Sequence, residues 1–335
     1  MGFFHKQYDI LCLTIINKGL DNMKFYKYCT FDKYTIENIL KSQAYINTVN
    51  NFNDPFEFNP QAFENISHRE LLEGLIDEYR QILFNFNSNV NNDFIKKYIE
   101  YLNPLANETL HKWIEKYIIK WQSLQLTDLQ EITIPIELWE QLKKEHYEFN
   151  NEFFPQIGVY CISSLKDNIL MWSHYANNHK GICLEFEINF NYVDFMATTV
   201  SVETFLDIQT LQNNFFSYGL TNVKYDEKRP LFSSLSSSNF FERNGALILT
   251  KYKQWKYEQE YRITFAPKKD APKIFPRTVN YFPNCLTGIF LGAKMTLEDE
   301  QTINLLVEKL QHKPLLYKAE LDDYEYKLNI KPLKD

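Results

Sequence analysis

Glycine and cysteine are both scarce in this sequence of 335 residues, which contains 9 glycines and 5 cysteines. The scarcity of glycine predicts short loops and closely packed elements, as in an ordinary globular protein. The cysteines are odd in number, widely spaced and without a CxxC pair, so neither a disulfide framework nor a zinc site is indicated. This usage predicts a protein of the reducing cytoplasm.

Excess positive charge and long apolar runs are also missing. The formal net charge is −7, whereas a nucleic-acid binder that neutralises many phosphates needs a basic face. No apolar run approaches the roughly 18 residues of a membrane-spanning helix, and the short apolar run at residues 10–16 is followed by no cleavage site. We therefore expect neither a membrane nor a nucleic acid among the partners.

Several catalytic motifs are absent from the chain, namely a Gly-rich phosphate loop, a GxSxG elbow and HExxH. P-loop, serine-hydrolase and zinc-protease functions are correspondingly disfavoured. His174 and His179 are five positions apart, which is a poor spacing for a shared metal on one helix. The sequence predicts no metal cofactor.

Hydrophobic periodicity indicates an α+β protein. In residues 182–188, Ile182, Leu184 and Phe186 alternate with residues expected to point outward, the period of two that is typical of a strand. A short aromatic helix should precede this strand and end near Gly181, at which we expect a positive φ. Other strand patterns occur towards both ends of the chain, at 25–29, 44–49, 159–162, 223–225, 255–265, 289–291, 315–319 and 324–330. They predict a mixed sheet core built from both ends of the sequence.

A run of helical periodicity from about 67 to 150 interrupts these strand patterns. Shorter helices are predicted at 35–41, 240–254 and 296–310. Met23 opens the first strand region, so residues 1–22 are interpreted as an N-terminal extension. The expected organisation is a single α+β domain over 23–335 with an inserted helical lobe, which serves either as a lid or as a partner surface.

An acidic row is the strongest candidate site. If residues 255–265 form one strand, Glu258, Glu260 and Arg262 share a face at intervals of about 7 Å. Carboxylates this close raise each other's pKa, a common preparation for catalysis. The alternative is a solvated strand with a surface ion pair. Trp255 and Tyr257 directly before the row favour the functional interpretation.

Ser163 and Ser164 form the second candidate, at the end of a predicted strand. Their hydroxyls can hold a ligand, or one of them can cap the following helix. That helix carries Trp172, His174 and Tyr175. His174 is either a base or a hydrogen-bonded core histidine, and the core role is favoured.

Two further candidates lie nearer the N-terminus. Asn53 and Asp54 belong to a strong turn signal that local hydrogen bonds explain without a substrate. Glu57 follows between two phenylalanines and needs a partner if it is buried. Lys27 and Tyr28 on the first strand are candidate substrate contacts, with Lys27 suited to an anion.

The chain contains, in order, FYKYCTF, the NDPFE of residues 53–57, CISS and LMWSHYANNHKGICLEF between 161 and 186, WKYEQEYR at 255–262, and IFLG at 289–292. These motifs resemble those of the bacterial domain-of-unknown-function family 2971. The resemblance spans roughly 24–292 and implies no particular activity.

More remotely, the order of elements resembles the ADP-ribosyltransferases, which have a basic or polar residue on the first strand, a serine in a middle strand and a Glu-x-Glu on a late strand. The positions that match are Lys27 or Tyr28, Ser163 and Ser164, and Glu258 and Glu260. This resemblance implies an NAD-using enzyme, which in a bacterial family would fit a defence or toxin effector.

The resemblance also implies roles for individual residues. Glu260 would face the cationic ribosyl centre, and Glu258 would orient or deprotonate an acceptor, such as a protein. Ser163 would steady the ribose, Arg262 would orient Glu260, and the nicotinamide would stack on Trp255, Tyr257 or Tyr175.

Two alternatives remain open at this point. In the first, the same pocket belongs to a non-catalytic recognition module that binds a nucleotide or a peptide, and the helical lobe contacts a partner. In the second, His174 and the acidic row serve a hydrolase, although no clear nucleophile accompanies them.

Overall fold

The computed structural model describes residues 23–58, 140, 144, 154–188, 205–207, 215–229, 247–267 and 277–333. The chain divides into two compact units. The first combines Met1–Phe52, Gln156–Tyr225 and Lys253–Asp335, and the second combines Asn53–Pro155 and Asp226–Tyr252. The predicted extension at 1–22 and, apart from residues 140 and 144, the predicted helical insert at 67–150 lie outside the described residues.

Strands dominate the described part of the chain. They are β1 (Met23–Cys29), β2 (Gln43–Tyr45), β3 (Asn47–Thr48), β4 (Gly158–Ser163), β5 (Ile182–Ile188), β6 (Phe215–Asn222), β7 (Lys224–Asp226), β8 (Thr250–Tyr252), β9 (Glu260–Pro267), β10 (Thr278–Asn280), β11 (Leu286–Leu291), β12 (Leu315–Leu321) and β13 (Leu328–Pro332).

A large mixed sheet organises the first unit. Its strand order is β13-β12-β11-β5-β1-β4-β9-β6, with β3 beside β4. β11 and β12 are parallel, whereas β1 pairs antiparallel with both β4 and β5. The sheet therefore joins strands from both ends of the chain, and the predicted α+β class is confirmed.

The α-helices that accompany the sheet include α1 (Lys33–Leu40), α2 (Ile169–Tyr175) and α3 (Leu297–Lys309). Residues 140, 144 and 247–249 are helical as well. At the start of α3, the helix predicted at 296–310, the Thr296 hydroxyl accepts the Asp299 N–H at 3.1 Å. Short 3-10 helices occur at Val49–Asn51, Phe154–Gln156, Lys253–Glu258 and Pro283–Cys285.

Both faces of the central strands are covered. Phe25, Leu184 and their neighbours belong to one hydrophobic cluster, while Tyr26 and Cys183 belong to a second cluster that contains Trp172 of α2. The alternation predicted for β5 is therefore present, but in its second set Cys183 and Glu185 are buried and Glu187 is half-buried. A core side chain of this size contributes roughly 1.5–3 kcal/mol by burial.

The strand predicted from Trp255 begins later than expected. Residues 253–258 form a 3-10 helix, and β9 starts only at Glu260. Gln259 between them has a φ of 42°, a left-handed conformation that interrupts a pleated strand. Two other boundaries were wrong: the helix predicted to Gln254 gives way to β8, and the last strand begins at 328.

Gly181 serves a different purpose from the one predicted. The positive φ angles after α2 belong to Asn177, Asn178 and His179, at 48°, 54° and 68°. At Gly181 a Cβ atom would overlap the carbonyl oxygen of Cys29 on the neighbouring strand. Glycine is required there because two backbones approach closely.

Candidate functional site

α2 supplies one wall of the candidate site. Asn168 caps this helix by accepting the N–H groups of Leu170 and Met171 at 3.0 and 3.2 Å. Its amide nitrogen also donates to the Tyr257 carbonyl at 3.1 Å. The cap therefore ties α2 directly to the 3-10 helix before β9.

Trp172 and Tyr28 are core residues beneath α2. The Trp172 side chain is fully buried, and its indole N–H donates to the Lys166 carbonyl at 2.9 Å. The Tyr28 ring packs edge-on against it at 5.3 Å, and the Tyr28 hydroxyl donates to the Leu165 carbonyl at 2.9 Å. Both polar ends hold the loop before α2, and their roles towards a substrate stay predictions.

Four rings meet where α2 faces the 3-10 helix, and we call them the aromatic cluster: His174, Tyr175, Trp255 and Tyr257. The His174 ring centre lies 6.2, 6.0 and 6.3 Å from those of Tyr175, Trp255 and Tyr257, respectively. His174 is exposed and the other three are half-buried. The favoured core role for His174 is wrong, because a residue two positions after buried Trp172 points to another side of the helix.

Glu258 lies directly beside this cluster. The Tyr175 hydroxyl donates to Glu258 Oε1 at 2.6 Å, a distance typical of a hydrogen bond to a charged carboxylate. Glu258 is only 2% exposed. The carboxylate is thus held in a fixed position next to partly exposed rings.

Ser163 and Ser164 hold the backbone that carries Glu258. The Ser163 hydroxyl donates to the Glu258 carbonyl at 2.6 Å and accepts the Leu165 N–H at 3.0 Å. The Ser164 hydroxyl donates to the side-chain oxygen of Gln259 at 2.9 Å. Neither serine caps α2, since Asn168 does so.

Glu260 and Arg262 form a buried ion pair on β9. Arg262 Nε and Nη2 donate to the two Glu260 oxygens at 2.8 and 3.1 Å, a bidentate geometry. Arg262 is 0% exposed, and burial lowers the pKa of its guanidinium to about 9, so it stays protonated at neutral pH. The alternative of a solvated surface pair is therefore wrong.

Strand pairing brings some of the predicted residues to one face. Ser163 lies opposite Glu260 across β4 and β9, and Tyr26 lies opposite Ser163 across β1 and β4. Directly paired residues share a face, so Glu260 lies on the side of the sheet that contains the Trp172 cluster. Glu258 precedes β9, so the predicted row of three groups in strand register is wrong.

Lys27 lies apart from these residues. It neighbours Tyr26 on β1 and therefore points to the opposite face of the sheet. Its ammonium donates to the Cys161 carbonyl at 2.9 Å and lies 5.0 Å from the centre of the Tyr160 ring. Lys27 does not converge with Ser163 and Glu260.

Asn53 and Asp54 belong to the second compact unit. The predicted turn is confirmed, because an Asp54 oxygen accepts the Phe56 N–H at 2.8 Å. Glu57 is buried, and its carboxylate lies 3.5 Å from the ammonium of Lys251. The sequence argument required such a partner for a buried Glu57 without identifying it.

Three residues that organise these sites were missed. Asn168 is of a residue type that caps helices, but nothing local indicates its bond to Tyr257. The Tyr225 hydroxyl accepts the Glu260 N–H at 2.9 Å. Lys251 could have been noticed as a lysine two positions after the apolar run of residues 247–249.

Two further properties concern cofactors and membranes. Within the described ranges, no group of three or more His, Cys, Asp or Glu side chains is placed to hold a metal ion. None of the described helices combines the length and apolar character needed to cross a membrane.

Residues 171–263 match the family model described as "Protein of unknown function (DUF2971)". The predicted family is confirmed over these residues. The DUF2971 segment begins within α2 and ends within β9, so it contains the aromatic cluster, Glu258 and the Glu260–Arg262 pair. Comparisons with curated proteins and with solved structures found no match. The remote resemblance to ADP-ribosyltransferases stays a prediction.

Proposed function

We propose that the aromatic cluster and Glu258 form the site of an enzyme that uses NAD and transfers ADP-ribose. The observation that carries this proposal is the 2.6 Å hydrogen bond from Tyr175 to Glu258, which fixes a buried carboxylate beside partly exposed rings. An aromatic surface stacks on the flat rings of a nucleotide, and each such contact is worth about 1–3 kcal/mol.

Glu258 supplies the electrostatic part of the reaction. When the bond between nicotinamide and ribose breaks, positive charge develops on the ribose. A fixed carboxylate stabilises that charge more in the transition state than in the bound substrate, which lowers the barrier. Because Tyr175 and the backbone bond from Ser163 already hold Glu258, little reorganisation is needed during the reaction.

The Glu260–Arg262 pair has a positioning role in this proposal. Arg262 donates to both oxygens of the Glu260 carboxylate, which fixes the position of that side chain. Glu260 is joined to Glu258 through a single residue, Gln259. The serines hold the same segment from β4. In this proposal Glu258 stabilises the ribosyl cation, whereas the remote resemblance implies Glu260 for that role.

The second candidate is a non-catalytic module that binds a nucleotide. The 2% exposure of Glu258 favours it, because a substrate must reach a carboxylate that acts on it. In this case the partly exposed rings bind the ligand and the carboxylate maintains their arrangement.

Release of nicotinamide from NAD tests the proposal. We expect the parent protein to release it and Glu258→Gln to lose at least about 100-fold in rate, the upper part of what one preorganised electrostatic group supplies. Glu308→Gln on the exposed face of α3 is the matched control, because it makes the same change far along the sequence from the site. NAD binding by calorimetry without release supports the module, and neither binding nor release refutes both.

The same proposal predicts a biological role and an acceptor for the protein. An NAD-directed transferase of a bacterial family fits a cytoplasmic defence or toxin effector whose acceptor is a protein. Incubation with labelled NAD and bacterial extract should transfer label to protein, and Glu258→Gln should abolish that transfer. Label that remains with the Glu258→Gln variant would contradict this assignment.

A further inference from the structure

The proposed reaction needs a proton acceptor besides its two buried carboxylates. When water or a hydroxyl group attacks the ribose, the nucleophile must lose a proton as the new bond forms. Glu258 is 2% exposed and faces the ribosyl cation in the proposed function. Glu260 is 6% exposed and accepts two hydrogen bonds from Arg262. The proton of the nucleophile is therefore expected to pass to an exposed group of the same site.

His174 is the exposed member of the aromatic cluster. The centre of its ring lies 6.0 Å from that of Trp255 and 6.3 Å from that of Tyr257. Among the residues that the structure describes, none hydrogen-bonds to either ring nitrogen of His174. One nitrogen of a neutral imidazole is a hydrogen-bond acceptor. His174 thus places an accessible proton acceptor inside the cluster.

The surroundings of His174 suit this task. Tyr175, the next residue of α2, donates to Glu258 Oε1 at 2.6 Å, and its ring centre lies 6.2 Å from that of His174. Groups that act on the two partners of one reaction therefore lie on either side of a single tyrosine. Trp255 and Tyr257 also favour the imidazolium that forms on proton transfer, because an aromatic ring attracts a cation within about 6 Å of its centre.

We propose that His174 is the general base of the reaction, an inference that rests on the proposed function. The oxygen of water or of an acceptor hydroxyl forms a bond to C1′ of the ribose. The bond between C1′ and the nicotinamide nitrogen breaks, and its electron pair leaves with neutral nicotinamide. The proton of the nucleophile passes to the unprotonated ring nitrogen of His174. Because a carboxylate acceptor has no proton to lose, this role implies a hydroxyl as the acceptor group on a protein.

Competition between azide and water for the ribose tests the role of His174. Azide is an anion with no proton to lose, so its attack needs no base. At one azide concentration, we expect the ratio of ADP-ribosyl azide to ADP-ribose formed from NAD to be at least about tenfold higher in His174→Gln than in the parent, because a general base speeds attack by water about 100-fold or more. This ratio, measured by chromatography, does not depend on the fraction of protein that is folded.

His312→Gln is the matched control, because it makes the same change at an exposed histidine outside the aromatic cluster. It should give the product ratio of the parent.

Rescue of His174→Ala by an added base provides the second test. Free imidazole should raise the formation of ADP-ribose by this variant at least about tenfold, since it restores a general base. Pyrazole, a ring of the same size and a much weaker base, should not. If His174 only packed against its neighbouring rings, the two compounds would act equally.

The outcomes separate this role from the proposed function. A parent protein that releases no nicotinamide from NAD refutes the proposed function and the role of His174 with it. If the parent releases nicotinamide, the role of His174 alone is overturned by an unchanged product ratio in His174→Gln, or by imidazole that restores His174→Ala no better than pyrazole does.

Discussion

Each compact unit contains a buried ion pair, and the two pairs differ in how closely the basic side chain contacts the carboxylate. Arg262 contacts both oxygens of Glu260 at 2.8 and 3.1 Å, whereas Lys251 lies 3.5 Å from one oxygen of Glu57. The planar guanidinium can donate two parallel hydrogen bonds to one carboxylate, whereas an ammonium acts as a point charge. The first pair makes two close contacts on β9, whereas the contact of the second pair is longer and joins side chains that are 3% and 0% exposed.

The largest expected effect is that of Arg262→Met. Removing one member of a buried pair costs about 3–5 kcal/mol, since the remaining charge loses its compensation in a low-dielectric environment. Urea unfolding should show this loss as a lower midpoint. The double variant Arg262→Met with Glu260→Leu should recover most of it. A loss below about 1 kcal/mol for Arg262→Met would mean that the pair is not the tight contact described.

Lys251→Met should cost less, about 1–3 kcal/mol, because the contact that it removes is longer than the two contacts from Arg262. The same urea measurement compares the two variants directly. Glu57→Gln with Lys251→Met is the matched double variant. If Lys251→Met destabilises the protein more than Arg262→Met does, the Lys251–Glu57 contact is not the weaker of the two pairs.

The buried carboxylate of Glu258 differs from those of Glu57 and Glu260, because the donor we describe for it is a neutral hydroxyl. Tyr175→Phe removes that hydroxyl and should cost about 1.5–2 kcal/mol, within the usual range for a hydrogen bond to a charged group. The Ser163 bond to the backbone keeps the segment in place. Turnover of NAD should fall with little change in NAD affinity, and an equal loss of both would indicate general disruption.

The smallest effect concerns His179, whose neighbouring charge is Lys294 and not a carboxylate. Burial, and then the like charge of Lys294, lower the pKa of His179 from its ordinary value of 6.5. The folded state therefore disfavours protonation, so this contribution to stability is present above pH 6.5 and is lost as the pH falls below it.

His179→Asn tests this sign, and asparagine tolerates the positive φ at this position. Stability measured by denaturant unfolding between pH 7 and pH 5 should fall less steeply in the variant, by at most the titration of one proton. Identical pH profiles would show that this imidazole titrates equally in the folded and unfolded states.

The sequence predicted those elements that local signals determine. β5 follows from alternation alone, and α3 follows from the Thr296 cap together with its periodicity. The sheet built from both ends of the chain was also predictable, because strand patterns occur on either side of the helical region.

The site was less predictable, because its geometry depends on contacts between distant segments. Trp255 and Tyr257 alternate as in a strand, yet Gln259 adopts a positive φ, and Ser164, directly after β4, hydrogen-bonds to its side chain. Buried Glu57 likewise contacts Lys251, which no spacing rule connects to it. Local patterns identified the functional residue types but not their partners.

Hydrogen–deuterium exchange with and without NAD tests most directly whether the aromatic cluster and Glu258 form the NAD site. We expect slower exchange in peptides covering 169–175 and 253–260, because these peptides contain α2 and the 3-10 helix that carry the cluster and Glu258. The same protection should be reduced in Trp255→Ala. Saturating NAD that leaves both peptides unchanged would contradict the account.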